Sequence, residues 1–108
     1  MELGQLRIFL AVIDHGGFRR AAARLYLSQP AVSRHIADLE RSLGVGLFHR
    51  EKGRVWLTAA GERFAQRAQR IVDQCDDAVR EARAERQPGR GDRVADGPVL
   101  AGLATTAE

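Results

Sequence analysis

Apolar residues recur along most of this chain at helical spacing, and the spacing breaks at glycine. Leu6, Phe9, Leu10 and Ile13 fall at i, i+3, i+4 and i+7, the stripe of a first helix. His15-Gly16-Gly17 ends it, glycine supplying the left-handed cap conformation. A second, short helix is predicted from about Phe18 to Tyr26, with Ala21, Ala22 and Leu25 facing inward. Its small alanines let another helix come close. After a tight turn at Tyr26-Leu27, Ser28 is placed to cap a third helix, and Pro30 lies in the first turn, where its missing N–H costs nothing. Val32, Ile36, Leu39 and Leu43 then form one buried stripe, and Gly44 closes the helix. At ~100° per residue, Pro30, Arg34, Ala37 and Arg41 fall opposite that stripe, with Gln29 and Ser33 on its flank.

The period then shortens. Leu47-Phe48-His49 and Val55-Trp56-Leu57 predict two strands around the turn Arg50-Glu51-Lys52-Gly53-Arg54, a wing with three basic residues at its tip. Trp56 is expected to pack against a neighbouring helix. Thr58 caps a long helix from Ala59 to about Arg86, whose first turn Gly61 weakens. Along it Phe64, Ala68, Ile71, Cys75, Ala78 and Ala82 alternate spacings of 4 and 3, the 3.5-residue period of a coiled-coil seam. Such a helix cannot bury its whole seam against so small a domain, which predicts a homodimer through this helix and leaves higher assembly open; packing of the seam within one subunit is the alternative. Residues 87–108 hold six Gly or Pro in 22 positions and no aromatic residue, the composition of a disordered tail. The expected organisation is therefore a winged helix-turn-helix over 1–58, a dimerisation helix over 59–86 and a tail over 87–108, mainly α overall.

Charge adds a partner to this outline. The 108 residues carry 17 basic and 14 acidic side chains, a formal +3. Between Arg19 and Arg54 there are eight basic residues against three acidic ones, whereas Glu62 to Arg86 holds six of each. The positive field is concentrated around the third helix, as a phosphate-binding face requires. Polar groups opposite an apolar stripe also describe any solvated helix. The compact helix and turn ahead of this one, with the positive flank, favour a helix that enters a DNA major groove. There Gln29 suits adenine N6/N7 and Arg34 guanine O6/N7, while Ser33 is undiscriminating. Arg50, Lys52 and Arg54 suit phosphates or the minor groove. Arg20, Arg24 and Arg41 belong to the general field.

Other classes find little support. His15, His35 and His49 lack metal-ligand spacing with one another or with Cys75, and no nucleophile has a convincing base, so neither enzyme, metal nor cofactor is expected. The single cysteine, Cys75, is expected to be a buried small hydrophobe on the seam. The start lacks a charged segment followed by an apolar one, and no apolar run approaches a membrane span, so a cytoplasmic protein is expected.

Over nearly 80 residues the chain resembles the DNA-binding half of LysR-type transcriptional regulators. The resemblance rests on Leu6-Arg7-Ile8-Phe9, Gly17-Phe18-Arg19-Arg20-Ala21-Ala22, Leu25 and Ser28-Gln29-Pro30-Ala31-Val32-Ser33-Arg34. It continues through Ile36, Leu39-Glu40, Leu43-Gly44-Val45, Leu47-Phe48-His49-Arg50 and Leu57-Thr58-Ala59-Ala60-Gly61. It implies a winged helix-turn-helix and a linker helix that pairs two subunits. It also implies that Gln29, Pro30, Ser33 and Arg34 face double-stranded DNA, with the wing near Arg50 and Arg54 on the backbone or minor groove. Gly17 stands where the family has serine, and Arg19 replaces a small hydroxyl residue, exchanging a hydrogen-bonding phosphate contact for a charged one. The family's effector-binding domain has no counterpart here beyond a faint echo of its first strand in residues 97–102, so no small-molecule site is expected. A regulator of transcription is the expectation. The alternatives are an interaction module that pairs with full-length relatives and a non-functional fragment.

Overall fold

The computed structural model of the chain describes residues 1–86. The tail and the strand echo expected beyond Arg86 lie outside the described residues. Three helices, a hairpin and a fourth helix follow in order: α1 Leu3–His15, α2 Phe18–Leu25, α3 Gln29–Leu43, β1 Phe48–Glu51, β2 Arg54–Leu57 and α4 Ala59–Ala84. Met1–Asp73 packs as one unit, and a second begins at Gln74. The first four turns of α4 thus belong with the winged part rather than apart from it.

Local chemistry sets the element ends. Gly16 and Gly44 adopt left-handed conformations (φ 79° and 75°) and close α1 and α3. The Ser28 hydroxyl accepts from the Ala31 N–H at 3.1 Å, capping α3. Thr58 does more than cap α4. Its Oγ1 accepts from the Gly61 N–H at 2.9 Å and donates to the Gly46 carbonyl at 2.8 Å, while its own N–H donates to the Leu47 carbonyl at 2.9 Å. One threonine thereby ties the entry of the hairpin to the start of the helix that leaves it.

The core forms where α1, α2, α3, Leu47 and α4 meet. Phe9, Val32, Ile36, Leu39, Leu47, Ala21 and Ala68 have no exposed surface. The α3 stripe matches its expected positions, with Leu43 half-buried at its end. The α1 stripe is broader than expected: Ile8 and Val12 are also buried and Ile13 only half so, because α1 packs on both α2 and α3. The four phenylalanines of the chain touch in series, with ring centroids 5.5 Å apart for Phe64–Phe9, 5.4 Å for Phe9–Phe48 and 5.5 Å for Phe48–Phe18. Edge-to-face and tilted pairs at this spacing add to the burial of their area.

Two expectations about glycine and the hairpin change. Gly61 is buried, and a Cβ there would overlap the Leu47 carbonyl oxygen and lie 3.0 Å from Leu57 Cδ2. The residue is less a weak point in α4 than the condition for α4 to lie against the hairpin entry. The turn of the hairpin is also tighter than expected. Phe48 pairs with Leu57, His49 with Trp56, Arg50 with Val55 and Glu51 with Arg54, leaving Lys52-Gly53 as a two-residue turn. Both take positive φ (49° and 78°), the handedness that matches the twist of the flanking strands.

Candidate nucleic-acid interface

The interface is assembled from the starts of two helices and one face of the hairpin. The stripe of Val32, Ile36 and Leu39 locks α3 into the core, so Gln29, Pro30 and Arg34 stand exposed and Ser33 half-buried on its other side. The first turn of α2 has no side-chain cap and no acidic residue. Strand period 2 puts Phe48 and Arg50 on one face of β1. Phe48 enters the aromatic series, and Arg50 follows it with its guanidinium carbon 4.0 Å above the Phe18 ring.

Between these parts runs an open cleft of about 560 Å³, lined by Arg19, Arg20, Gln29, Ser33, Arg50 and Arg54 together with Gly16, Gly17, Phe18, Gly53 and Val55. Of the eight residues that the sequence marks as DNA-facing, Arg19, Gln29, Ser33, Arg50 and Arg54 meet here, and Lys52, in the hairpin turn, does not line the cleft. Pro30 and Arg34 are exposed on α3 but do not line the cleft. Arg20, assigned from sequence only to the general field, does. No carboxylate lines the cleft, so four guanidinium groups share it without a neutralising partner in its walls. Arg41, by contrast, is paired with Asp38 at 2.7 Å.

Glu40 is a positioning residue that the sequence did not reveal. Its Oε2 accepts from the Leu47 N–H at 2.7 Å and from the Phe48 N–H at 3.2 Å. A carboxylate on α3 therefore holds the first residues of the hairpin. Trp56, expected against a neighbouring helix, shares a small cavity with Val12 and Ile13 of α1. It is 43% exposed and lies against its cross-strand partner His49, with centroids 5.4 Å apart.

The seam expected on α4 is also redistributed. Ala68 is fully buried in the core of this chain, which takes it out of the face expected to meet a second subunit, while Phe64 is half-buried with its ring on Phe9. The buried positions of this helix, Gly61, Ala68 and Val72, all precede Asp73 and meet the chain's own domain. Further along, Ile71 is 45% exposed and Val79 40%, Cys75 is half-buried, and Ala78 and Ala82 are exposed. Among the described residues no group of three or more His, Cys, Asp or Glu could hold a metal, and no helix is long and apolar enough to cross a membrane.

Comparison with known proteins gives this arrangement its relatives. The family profile described as bacterial regulatory helix-turn-helix protein, lysR family, matches residues 3–62. The Hca operon transcriptional activator HcaR of Escherichia coli K12 is 49% identical over 83 residues, 77% of this chain and 28% of that protein. The HTH-type transcriptional regulator CfxR of Cupriavidus necator is 38% identical over 108 residues, 100% of this chain and 32% of that one. The crystal structure of the CbnR_DBD-DNA complex superposes with a TM-score of 0.75 at 39% identity, covering 81% of this chain and 100% of that one. The chain thus spans less than a third of the length of these two curated relatives.

Proposed function

The chain belongs to the lysR family of bacterial regulatory helix-turn-helix proteins, and from that premise we propose that it is the DNA-reading part of a sequence-specific transcriptional regulator. The observation that carries this reading is the cleft in which Arg19, Arg20, Arg50 and Arg54 surround Gln29 and Ser33 with no carboxylate among its walls. An array of unneutralised guanidinium groups around the capped start of α3 is what a polyanion needs, because each phosphate it meets releases condensed counterions.

In this reading α3 enters the major groove start first. Gln29 and Arg34 address base edges, Pro30 and Ser33 fit between them, and Arg19, Arg50 and Arg54 hold phosphates or the minor groove beside the site. The chain acts as a homodimer through α4 at exposed Ile71, Ala78, Val79 and Ala82 and half-buried Cys75. Charge favours antiparallel pairing. The first half of α4 carries Arg63, Arg67 and Arg70 against Glu62, and the second Asp73, Asp76, Asp77 and Glu81 against Arg80 and Arg83. Running antiparallel sets unlike halves together, and running parallel sets like against like. Two α3 helices related by a two-fold axis then read two half-sites.

The test is selection of duplexes from a random pool, followed by anisotropy titrations of the selected and a scrambled duplex at stated salt. Arg34→Ala is expected to cost ~1–3 kcal/mol on the selected duplex and much less on the scrambled one. Equal losses on both refute base reading by Arg34, and a pool with no enriched sequence refutes sequence-specific recognition by this chain.

A further inference from the structure

We propose that Phe18 is a positioning residue for DNA contact: its ring holds the Arg50 guanidinium in the cleft, so that the first turn of α2 and the first strand of the wing meet the phosphate backbone as one clamp. The inference rests on the DNA-binding reading above and adds to it a residue that the sequence marks only as the start of the second helix.

Four observations carry it. Arg50 is one of four arginines in the cleft, and its guanidinium carbon lies 4.0 Å from the centroid of the Phe18 ring. Phe18 is the first residue of α2, 6% exposed, and its other aromatic contact is the edge-on Phe48 ring at 5.5 Å. Phe48 and Arg50 lie two residues apart on β1, so the strand presents both to the same ring. No carboxylate in the cleft competes for the guanidinium.

The physical consequence is preorganisation. Arg19, Arg20 and Arg54 repel Arg50 in the free protein, and a long side chain with nothing beneath it would turn away to solvent. Attraction to the negative face of a ring opposes that repulsion. The ring engages the flat face of the guanidinium, and the N–H donors radiate in its plane, so the cation stays available to a bidentate phosphate contact. A side chain already in place loses less freedom on binding than a free one.

A double-mutant cycle on the whole chain tests this, titrating a labelled mixed-sequence duplex at low salt, since a phosphate contact needs no particular sequence. Phe18→Met keeps the apolar bulk and removes the ring, and it is expected to weaken binding about 5-fold. Arg50→Ala is expected to weaken it further, and adding Phe18→Met to Arg50→Ala to change nothing. Phe18→Tyr, which keeps the ring face, is expected to bind like the parent. Equal losses from Phe18→Met with and without Arg50 overturn the proposal, because a residue that merely fills the core acts regardless of Arg50. Binding by the parent chain with such additive losses refutes this inference alone, whereas a parent that binds no duplex refutes it together with the DNA-binding reading. If Phe18→Met fails to fold, NMR of the parent decides: side-chain protons of Arg50, unlike those of Arg54, are expected to be shifted upfield by the ring current without DNA. Unshifted Arg50 protons overturn the proposal.

Discussion

Replacing Gly61 with alanine sets two effects of opposite sign against each other. Helix propensity favours the change, since alanine in a helix interior is better than glycine by ~1 kcal/mol. The packing opposes it. The new Cβ would overlap the Leu47 carbonyl oxygen, with the Leu47 carbonyl carbon at 3.1 Å and Leu57 Cδ2 at 3.0 Å. Two of these three neighbours are backbone, which cannot rotate aside, so α4 has to move off the hairpin entry. That movement pulls on the Thr58 N–H to Leu47 bond (2.9 Å) and the Thr58 hydroxyl to Gly46 bond (2.8 Å). Overpacking of this kind costs ~1–3 kcal/mol, and each weakened hydrogen bond ~0.5–1.5 kcal/mol. After the propensity gain is subtracted, Gly61→Ala is expected to destabilise the chain by ~1–5 kcal/mol. The control is Gly4→Ala in the first turn of α1, where a Cβ meets nothing within 4 Å, and which is expected to be neutral or stabilising by up to ~1 kcal/mol. Urea unfolding followed by circular dichroism, at one protein concentration for all variants, reads both. A Gly61→Ala chain as stable as its parent, or more stable, refutes the close approach of α4 to Leu47.

Two further predictions concern how the parts are held. Glu40→Ala removes the acceptor for the Leu47 and Phe48 N–H groups and is expected to cost ~2–3 kcal/mol, with faster hydrogen exchange at those two amides. Glu40→Gln, which retains an acceptor oxygen, is expected to lose less, and equal losses for the two variants would show that the hydrogen bonds are not what Glu40 contributes. Ile71→Glu changes a residue that is 45% exposed, so the fold should tolerate it, while a dimer formed through this face should shift towards monomer in sedimentation velocity. A dimer unchanged by Ile71→Glu places the subunit contact elsewhere.

What was legible in the sequence is what is decided within a few residues. Ser28, Thr58, Gly16 and Gly44 mark helix ends through bonds that span three or four positions, and their residue types declare the role. The face of α3 followed from spacing alone, because one stripe of Val32, Ile36 and Leu39 determines which side remains outside. Contacts between distant elements left no such mark. Glu40 lies seven and eight residues from the amides it holds, and nothing in its neighbours distinguishes it from a solvated carboxylate. The glycine at 61 is needed because of a carbonyl at 47, which no local pattern reveals. Periodicity on α4 gives a seam but does not name its partner: Ala68 packs into the chain's own core and Phe64 on Phe9, whereas Ile71, Ala78 and Ala82 are exposed. Lys52-Gly53 is a weaker turn signal than Asn-Gly, so the sequence predicts a looser hairpin than the one that forms.

The core and the reading face of this small domain are the same construction seen from two sides. Phe64 on α4, Phe9 on α1, Phe48 on β1 and Phe18 on α2 form one line of rings, and the last of them underlies Arg50 in the cleft. Glu40 joins α3 to the hairpin from one side, and Thr58 joins the hairpin to α4 from the other. The helix that would enter the groove, the strand that would flank it and the first half of the helix that would pair two subunits are therefore fixed to one another through side chains, not only through the chain. A domain held this way has little internal freedom left to lose when it binds, and low ordering cost is one of the terms that lets a modest contact area yield useful affinity. It follows that a substitution in this line of rings reaches the cleft even when it lies far from any phosphate. Phe9, which touches two other rings and has no exposed surface, is where such an effect should be largest.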